Sequence, residues 1–198
     1  MRPSFLEGSM RAFSKWSTLT AKAAFLSVVP NVSIAMAATS DDLFNNYFAN
    51  VLDGRPCFAR SYDEEHLKVH RGQRVQKIEI DLSKANSDGT PNTADHFALD
   101  FAVMLKSGAE WFGQAANCKT NDSDFECYLE GDGGVFRLTP RKDGGLRLES
   151  GDEGISIEGS NSEIELSGRD GDDDRVFDLV PSREECQAAS AFFDNGND

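Results

Sequence analysis

A period-two alternation of apolar side chains between Cys118 and Glu149 constrains the fold more than any other feature of this sequence. Such a period puts one set of side chains on a buried face and the other in water, which is typical of half-buried antiparallel strands. Turns containing glycine, at 131–134 and 143–145, separate three such segments. Their alternating apolar residues are Phe125, Cys127, Leu129, Phe136, Leu138, Leu146 and Leu148.

Further strand and turn signals extend this pattern over residues 55–188. Turn signals recur at 151–154 and 159–161, so that strands follow one another at intervals of about ten residues. An apolar segment at 97–105 is predicted to be a central strand, and 176–181 the last one. The sequence therefore predicts an all-β antiparallel meander that closes into a small barrel or sandwich.

The first 37 residues are predicted to be a signal peptide. Basic residues precede an apolar run at 23–37, and this run ends in Ala35, Met36 and Ala37, a small-x-small cleavage site. The run is short for a membrane span and contains Pro30, so a retained anchor is the less favoured alternative. Translation from Met1 and from Met10 are both compatible with export to the periplasm.

The chain is strongly acidic, with a formal net charge of −14. Removing residues 1–37 takes away four of the 20 basic and one of the 34 acidic residues, which leaves −17. Such a surface repels nucleic acid and anionic lipid, and it attracts basic proteins or divalent cations. The alternative is that the charge serves solubility alone.

Four cysteines in an exported chain predict two disulfides, for which three pairings are possible. The favoured pairing joins Cys118 to Cys127, across the ends of neighbouring strands. It also joins Cys57 to Cys186, which ties the start of the domain to its end.

Short helices are expected at three places. A helix at 38–54, capped by Thr39 or Ser40, carries an apolar stripe that packs on the domain or, alternatively, docks into a partner. Ser61 and Glu64 form a capping box for a second helix that ends near His70. A turn capped by Ser182 precedes a flexible tail at 189–198. The stripe consists of Leu43, Phe44, Tyr47, Phe48 and Val51.

Two patterns resemble metal sites. His66 and His70 are four residues apart on the second helix, but no further convergent ligand is visible, so no specific metal site is predicted. The acidic run at 170–174 imitates the start of a calcium loop. Arg175 and Pro181 stand where that loop requires glycine and glutamate, which excludes an EF-hand and leaves loose cation binding open. No catalytic motif is present, and no cofactor is predicted.

Three stretches resemble a family of exported β-rich alphaproteobacterial proteins associated with periplasmic, lysozyme-type peptidoglycan-hydrolase inhibitors. They are CFARSYDEEHLKVHRGQRV (57–75), CYLEGDGGVFRLTPRKDGGLRLE (127–149) and SGRDGDDDRVFDLVPSREEC (167–186). Some of these inhibitors carry a Ser-Gly-x-x-Tyr loop. Ser167, Gly168 and Arg169 match its beginning, whereas Gly171 stands where the tyrosine would be.

The resemblance implies a non-enzymatic periplasmic protein that inserts a loop into the cleft of a lysozyme-type hydrolase. The expected partner is a basic protein, and Arg169 is expected to reach the catalytic carboxylates. Two alternatives remain: a structural or cation-binding acidic envelope protein, and an enzyme acting on cell-wall glycan. The predicted partner-binding residues are Gly168, Arg169, Asp170, Gly171, Asp172, Asp173 and Asp174.

Overall fold

The computed structural model describes residues 39–49, 56–159, 162–167, 169, 173–182 and 186–189. All of them belong to one unit, Ala37–Asp198. The predicted signal peptide lies outside the described residues, as do Val51 and nearly all of the predicted tail.

Eight antiparallel strands form a closed barrel, which confirms the predicted all-β meander and selects the barrel over the sandwich. Strands β1 to β7 pair in chain order, and β9 pairs with both β7 and β1 to close the ring. The remaining strand, β8, pairs only with β7. The strands are β1 Cys57–Ser61, β2 Val75–Leu82, β3 Phe97–Leu105, β4 Trp111–Thr120, β5 Phe125–Leu129, β6 Gly134–Pro140, β7 Leu146–Glu158, β8 Glu163–Leu166 and β9 Val176–Ser182.

The interior of the barrel is filled by apolar side chains. An eight-stranded barrel is just wide enough for its own side chains to fill it or for one small ligand to bind inside. Here large inward-facing residues are almost completely buried and form one core, so binding is expected on the outer surface. They include Ile78, Ile80, Phe97, Leu99, Phe101, Phe125, Phe136, Leu138, Leu146, Leu148, Phe177 and Leu179.

The predicted N-terminal helix closes one end of the barrel. It consists of α1, Ser40–Phe44, followed by a π-helical turn, Asn45–Ala49. Thr39 caps α1 by accepting a hydrogen bond from the backbone N–H of Asp42. Phe48 packs on Phe97 and Phe125, at ring-centroid distances of 5.1 and 5.0 Å. The described residues of the apolar stripe, Leu43, Phe44, Tyr47 and Phe48, therefore pack on this domain.

The N-cap of the second helix, α2, lies two residues later than the predicted N-cap, Ser61. Ser61 is the last residue of β1 and pairs with Lys77, which holds it in an extended strand. Asp63 is the N-cap instead, accepting a hydrogen bond of 2.7 Å from the backbone N–H of His66. The helix spans Glu64–Val69. The predicted cap at Ser61 is wrong because strand pairing takes precedence over the local motif.

The turn predicted at 151–154 is a large bulge inside one long strand. Strand β7 pairs with β6 on both sides of it: Phe136 lies opposite Ser150, and Gly134 opposite Ile155. Residues 151–154 therefore face a single residue of β6, Val135; we call these four residues the β7 bulge. Gly154 has φ +84°, and a Cβ there would lie 2.7 Å from the carbonyl oxygen of Leu166, so glycine is required.

Both predicted disulfides are confirmed. Cys118 and Cys127 lie directly opposite each other on β4 and β5, with their Cα atoms 4.1 Å apart. Cys57 and Cys186 have Cα atoms 5.6 Å apart and join positions separated by 129 residues. The long-range bridge ties the C-terminal part of the domain to the start of β1.

A buried carboxylate also holds the C-terminal helical turn. Glu79 Oε2, on the outer side of β2, accepts hydrogen bonds from the backbone N–H groups of Ala188 and Ala189, at 3.0 and 3.1 Å. The predicted cap, Ser182, belongs to β9 and pairs with Cys57. The amides of this turn are therefore capped by a residue more than a hundred positions earlier in the chain.

Candidate binding surface

Only part of the predicted partner-binding turn lies in the described residues. Gly168, Asp170, Gly171 and Asp172 are outside them. Arg169 is half-exposed, and its Nη2 donates to the carbonyl oxygen of Asp152 at 3.0 Å and to Glu153 Oε2 at 2.9 Å. The side chain expected to enter a partner's cleft is thus held against the β7 bulge.

Asp174, at the other end of the turn, is completely buried. Its two carboxylate oxygens accept hydrogen bonds from the backbone N–H of Arg74, at 3.0 and 2.9 Å, and one of them also accepts from the N–H of Val75, at 3.0 Å. The backbone N–H of Asp173 donates to the carbonyl oxygen of Gly72 at 3.2 Å. Asp174 can therefore serve partner binding only by fixing the turn to the start of β2.

We expect Asp174→Asn to lower the free energy of unfolding by about 2–3 kcal/mol, because it removes the buried charge that pairs with Arg74 Nε at 3.3 Å and puts an N–H₂ donor where Oδ2 accepts from the backbone N–H of Arg74. Urea unfolding measures the change. The matched control is Asp173→Asn, an exposed neighbour, for which we expect a change within about 0.5 kcal/mol. Equal unfolding midpoints for the two variants would contradict the anchoring role.

The β7 bulge is the centre of a cluster of exposed ion pairs. Asp152 and Glu153 have side chains that are 90% and 91% exposed. Arg175 Nη2 lies 2.9 Å from Asp152 Oδ1 and 3.8 Å from Glu149 Oε1. Exposed pairs of this kind contribute little to stability. Their consequence is geometric, since they hold the guanidinium groups of Arg169 and Arg175 beside the bulge.

An open groove of about 260 Å³ lies beside the bulge on the outer wall of the barrel. It forms where the pairing of β6 and β7 is interrupted. Two of its lining residues, Phe136 and Ser150, lie opposite each other with the parity of the core residues and are only 1% and 2% exposed. The residues that line it are Glu126, Val135, Phe136, Arg137, Glu149, Ser150 and Gly151.

Charges of alternating sign cross the barrel wall at this groove. Lys119, Glu126, Arg137 and Glu149 lie opposite one another, in that order, on β4, β5, β6 and β7. Lys119 Nζ lies 2.8 Å from Glu126 Oε2, and hydrogen bonds from Lys119 and Tyr128 hold the pKa of Glu126 below its usual value. This row makes the wall polar, and its charges are largely balanced.

Apolar side chains border the groove. Tyr128 and Val135 lie opposite each other on β5 and β6 and are 41% and 39% exposed. Val176 is 44% exposed and lies opposite Glu149. Exposed apolar side chains beside a polar groove are typical of protein-binding surfaces, whereas isolated ones carry no such meaning. No sequence signal marked this surface, because residues from four strands form it.

The two histidines of the predicted pair contact each other through their rings. The His66 ring stacks between Tyr62 and His70, at centroid distances of 4.6 and 4.3 Å. Its Nε2 lies 3.0 Å from Oε1 of the buried Gln73. Within the described residues, no group of three or more His, Cys, Asp or Glu is arranged to hold a metal ion. The absence of a specific metal site stays a prediction.

Fold and surface together define a disulfide-linked, eight-stranded antiparallel barrel with a packed interior and a polar groove on its wall. Comparison with protein-family models, with curated proteins and with solved structures gives no match to this chain. Among the described helices, none has the length and apolar character needed to cross a membrane.

Proposed function

We propose that this protein is a non-enzymatic periplasmic binding protein that inhibits a lysozyme-type peptidoglycan hydrolase. The observation that carries the proposal is that Arg169 and Asp174, the described residues near the two ends of the 168–174 segment, are both bonded to the barrel. Arg169 is bonded to the β7 bulge, and Asp174 is bonded to the start of β2. Residues that are already fixed before binding lower the conformational entropy that binding costs, which favours tight binding.

Two further properties support this function. Disulfides persist in oxidising compartments, which agrees with export to the periplasm. The net charge, −17 after removal of residues 1–37, would speed encounter with a basic hydrolase, because long-range attraction raises association rates. The resemblance of residues 57–75, 127–149 and 167–186 to hydrolase inhibitors points to the same class of partner.

The test is an inhibition assay with residues 38–198 against c-, g- and i-type lysozymes and bacterial lytic enzymes. We expect inhibition of at least one enzyme, and we expect Arg169→Ala to weaken it by about 30-fold, mainly through faster dissociation, because a desolvated arginine contact contributes about 2 kcal/mol. Inhibition of none of these enzymes would contradict the proposed function.

Two controls separate the arginine's contact with the enzyme from its contact with the bulge. Glu153→Gln removes the ion pair but keeps Arg169, so we expect an inhibition constant within about threefold of the wild type, as for an exposed pair. Lys142→Ala removes an exposed positive charge from a different hairpin and should have no effect. If Glu153→Gln and Arg169→Ala weaken inhibition equally, Arg169 acts only by positioning the bulge.

A further inference from the structure

One arginine differs from the others in its surroundings. Arg71 is exposed, and within the described residues its guanidinium has no ion pair, hydrogen bond or ring contact. The chain has 34 acidic and 20 basic residues, so carboxylate partners are plentiful and this guanidinium stays available for a group outside the chain. The other described arginines contact a carboxylate, a carbonyl oxygen or a ring: Arg60, Arg74, Arg137, Arg141, Arg147, Arg169 and Arg175.

The backbone that carries this arginine is fixed. We call residues 70–73 the 70–73 loop. Lys106 Nζ donates to the carbonyl oxygens of Arg71 and Gln73, at 3.0 and 2.7 Å. The backbone N–H of Gln73 donates to the carbonyl oxygen of His70 at 3.1 Å. Binding to a fixed backbone costs less conformational entropy, and Lys106 adds a second positive charge beside the loop.

The 70–73 loop lies beside the C-terminal end of the 168–174 segment. The carbonyl oxygen of Gly72 accepts a hydrogen bond of 3.2 Å from the backbone N–H of Asp173. The next residue, Asp174, is bonded to the backbone that directly follows the loop. A partner that contacts this end of the segment therefore also meets the loop.

The residues next to Arg71 favour a protein as the partner. Val69 is an apolar side chain that is 76% exposed, and His70 is also exposed. Arginine beside exposed apolar surface is typical of contacts between proteins. The acidic surface of the whole chain repels nucleic acid and anionic lipid, which makes their phosphates less suitable occupants than a carboxylate on a basic protein.

We propose that Arg71 binds a carboxylate of a partner protein, and that the 70–73 loop extends the contact surface proposed for the 168–174 segment. A guanidinium holds a carboxylate through two parallel N–H···O bonds, which makes the contact specific in its geometry. Lysozyme-type hydrolases supply such groups, because glycosidases use a pair of Asp or Glu side chains in their clefts. The proposal rests on the proposed function only for the identity of the partner.

The first experiment uses a probe that needs no identified partner. Acetyl-Gly-Glu-Gly-amide is titrated into ¹⁵N-labelled protein, residues 38–198, and the shifts of the backbone amides are followed by NMR. We expect saturable shifts at Val69, Arg71 and Gly72. The same peptide with glutamine in place of glutamate should bind at least about fivefold more weakly, because it has lost the charge.

The matched variants are Arg71→Ala and Arg147→Ala, which remove the same charge from two exposed positions; Arg147 is paired with Asp178 at 2.7 Å. We expect Arg71→Ala to abolish the shifts at the loop and Arg147→Ala to change peptide binding less than about twofold. Arg71→Lys keeps the charge but not the planar pair of donors, so it should restore binding only in part.

The second experiment repeats the inhibition assay with a hydrolase that the wild type inhibits. We expect Arg71→Ala to weaken inhibition about tenfold or more, mainly through faster dissociation, and Arg147→Ala to weaken it less than about twofold. Because the Arg71 guanidinium makes no contact within the described chain, its removal should move the midpoint of thermal unfolding by no more than about 2 °C.

The outcomes distinguish this proposal from the proposed function. Equal effects of Arg71→Ala and Arg147→Ala on an inhibited hydrolase would overturn the Arg71 proposal and leave the proposed function in place. Absence of shifts at the loop, or equal binding of the two peptides, would also overturn it. So would vesicles containing phosphatidylglycerol that shift the loop amides when the glutamate peptide does not. If the glutamate peptide binds the loop but no hydrolase is inhibited, the Arg71 proposal stands and the proposed function fails.

Discussion

Replacing Cys57 and Cys186 together by alanine is expected to lower the free energy of unfolding by about 5 kcal/mol, on the view that a disulfide acts by restricting the entropy of the unfolded chain. The bridge joins positions separated by 129 residues, so its loss gives the unfolded state a large gain in conformational freedom. It also releases the C-terminal turn that Glu79 caps. Urea unfolding of residues 38–198 measures the change.

The other disulfide provides the matched comparison. Replacing Cys118 and Cys127 together by alanine removes a bridge between positions only 9 residues apart. For this bridge the same chain-entropy argument predicts a loss of about 3 kcal/mol in the free energy of unfolding. These two cysteines are also neighbours across β4 and β5, so strand pairing keeps them close without the bond. If removing the Cys118–Cys127 bridge lowered the free energy of unfolding more than removing the Cys57–Cys186 bridge, chain entropy would not govern the effect of the disulfides in this protein.

Phe48→Ala is expected to lower the free energy of unfolding by about 3–5 kcal/mol, the usual cost of truncating a buried phenylalanine. Phe48 is 2% exposed, and its ring contacts those of Phe44, Phe58, Phe97 and Phe125 at centroid distances of 6.1, 5.8, 5.1 and 5.0 Å. Removing it leaves a cavity where the N-terminal helix closes the barrel. Thermal and urea unfolding both measure the loss.

The control for Phe48→Ala is Asn46→Ala, an exposed position of the same π-helical turn, with an expected change within about 0.5 kcal/mol. If Phe48→Ala left the stability unchanged and only weakened partner binding, the helix would be a docking element and not part of the core. Because its ring contacts other core rings, we expect Phe48→Ala to lower the stability instead.

Local pattern predicted several strands and the N-terminal helix, although it did not predict β1, Cys57–Ser61. The alternation of Phe125, Cys127 and Leu129 predicted β5 almost to its ends, and that of Phe136 and Leu138 predicted β6. This works because the period of two reports which side of a strand meets water, a property of a few consecutive residues. The helical stripe that includes Phe48 likewise predicted a buried face. The cysteine positions restricted the pairing to three choices, and the expected placement of the chain ends selected the observed one.

The features that form the candidate surface depend on contacts between distant parts of the chain. The sequence GDEG at 151–154 reads equally well as a turn or as a bulge, and only the pairing of Ser150 with Phe136 and of Ile155 with Gly134 decides between them. The groove lies where the register between β6 and β7 shifts at this bulge. No local pattern could therefore have predicted it.

The same limit applies to single residues. By itself the sequence determined that Asp174 lies in an acidic turn and that Arg169 is a cation among carboxylates. Only the tertiary structure decided that Asp174 is buried against the N–H groups of Arg74 and Val75, about a hundred positions away, and that Arg169 binds the β7 bulge. Closure of the barrel was decided in the same way, since it requires β9 to pair with both β1 and β7. The physical reason is that the burial and pairing of a charge depend on which strands become neighbours, whereas the alternation of side chains along a strand does not.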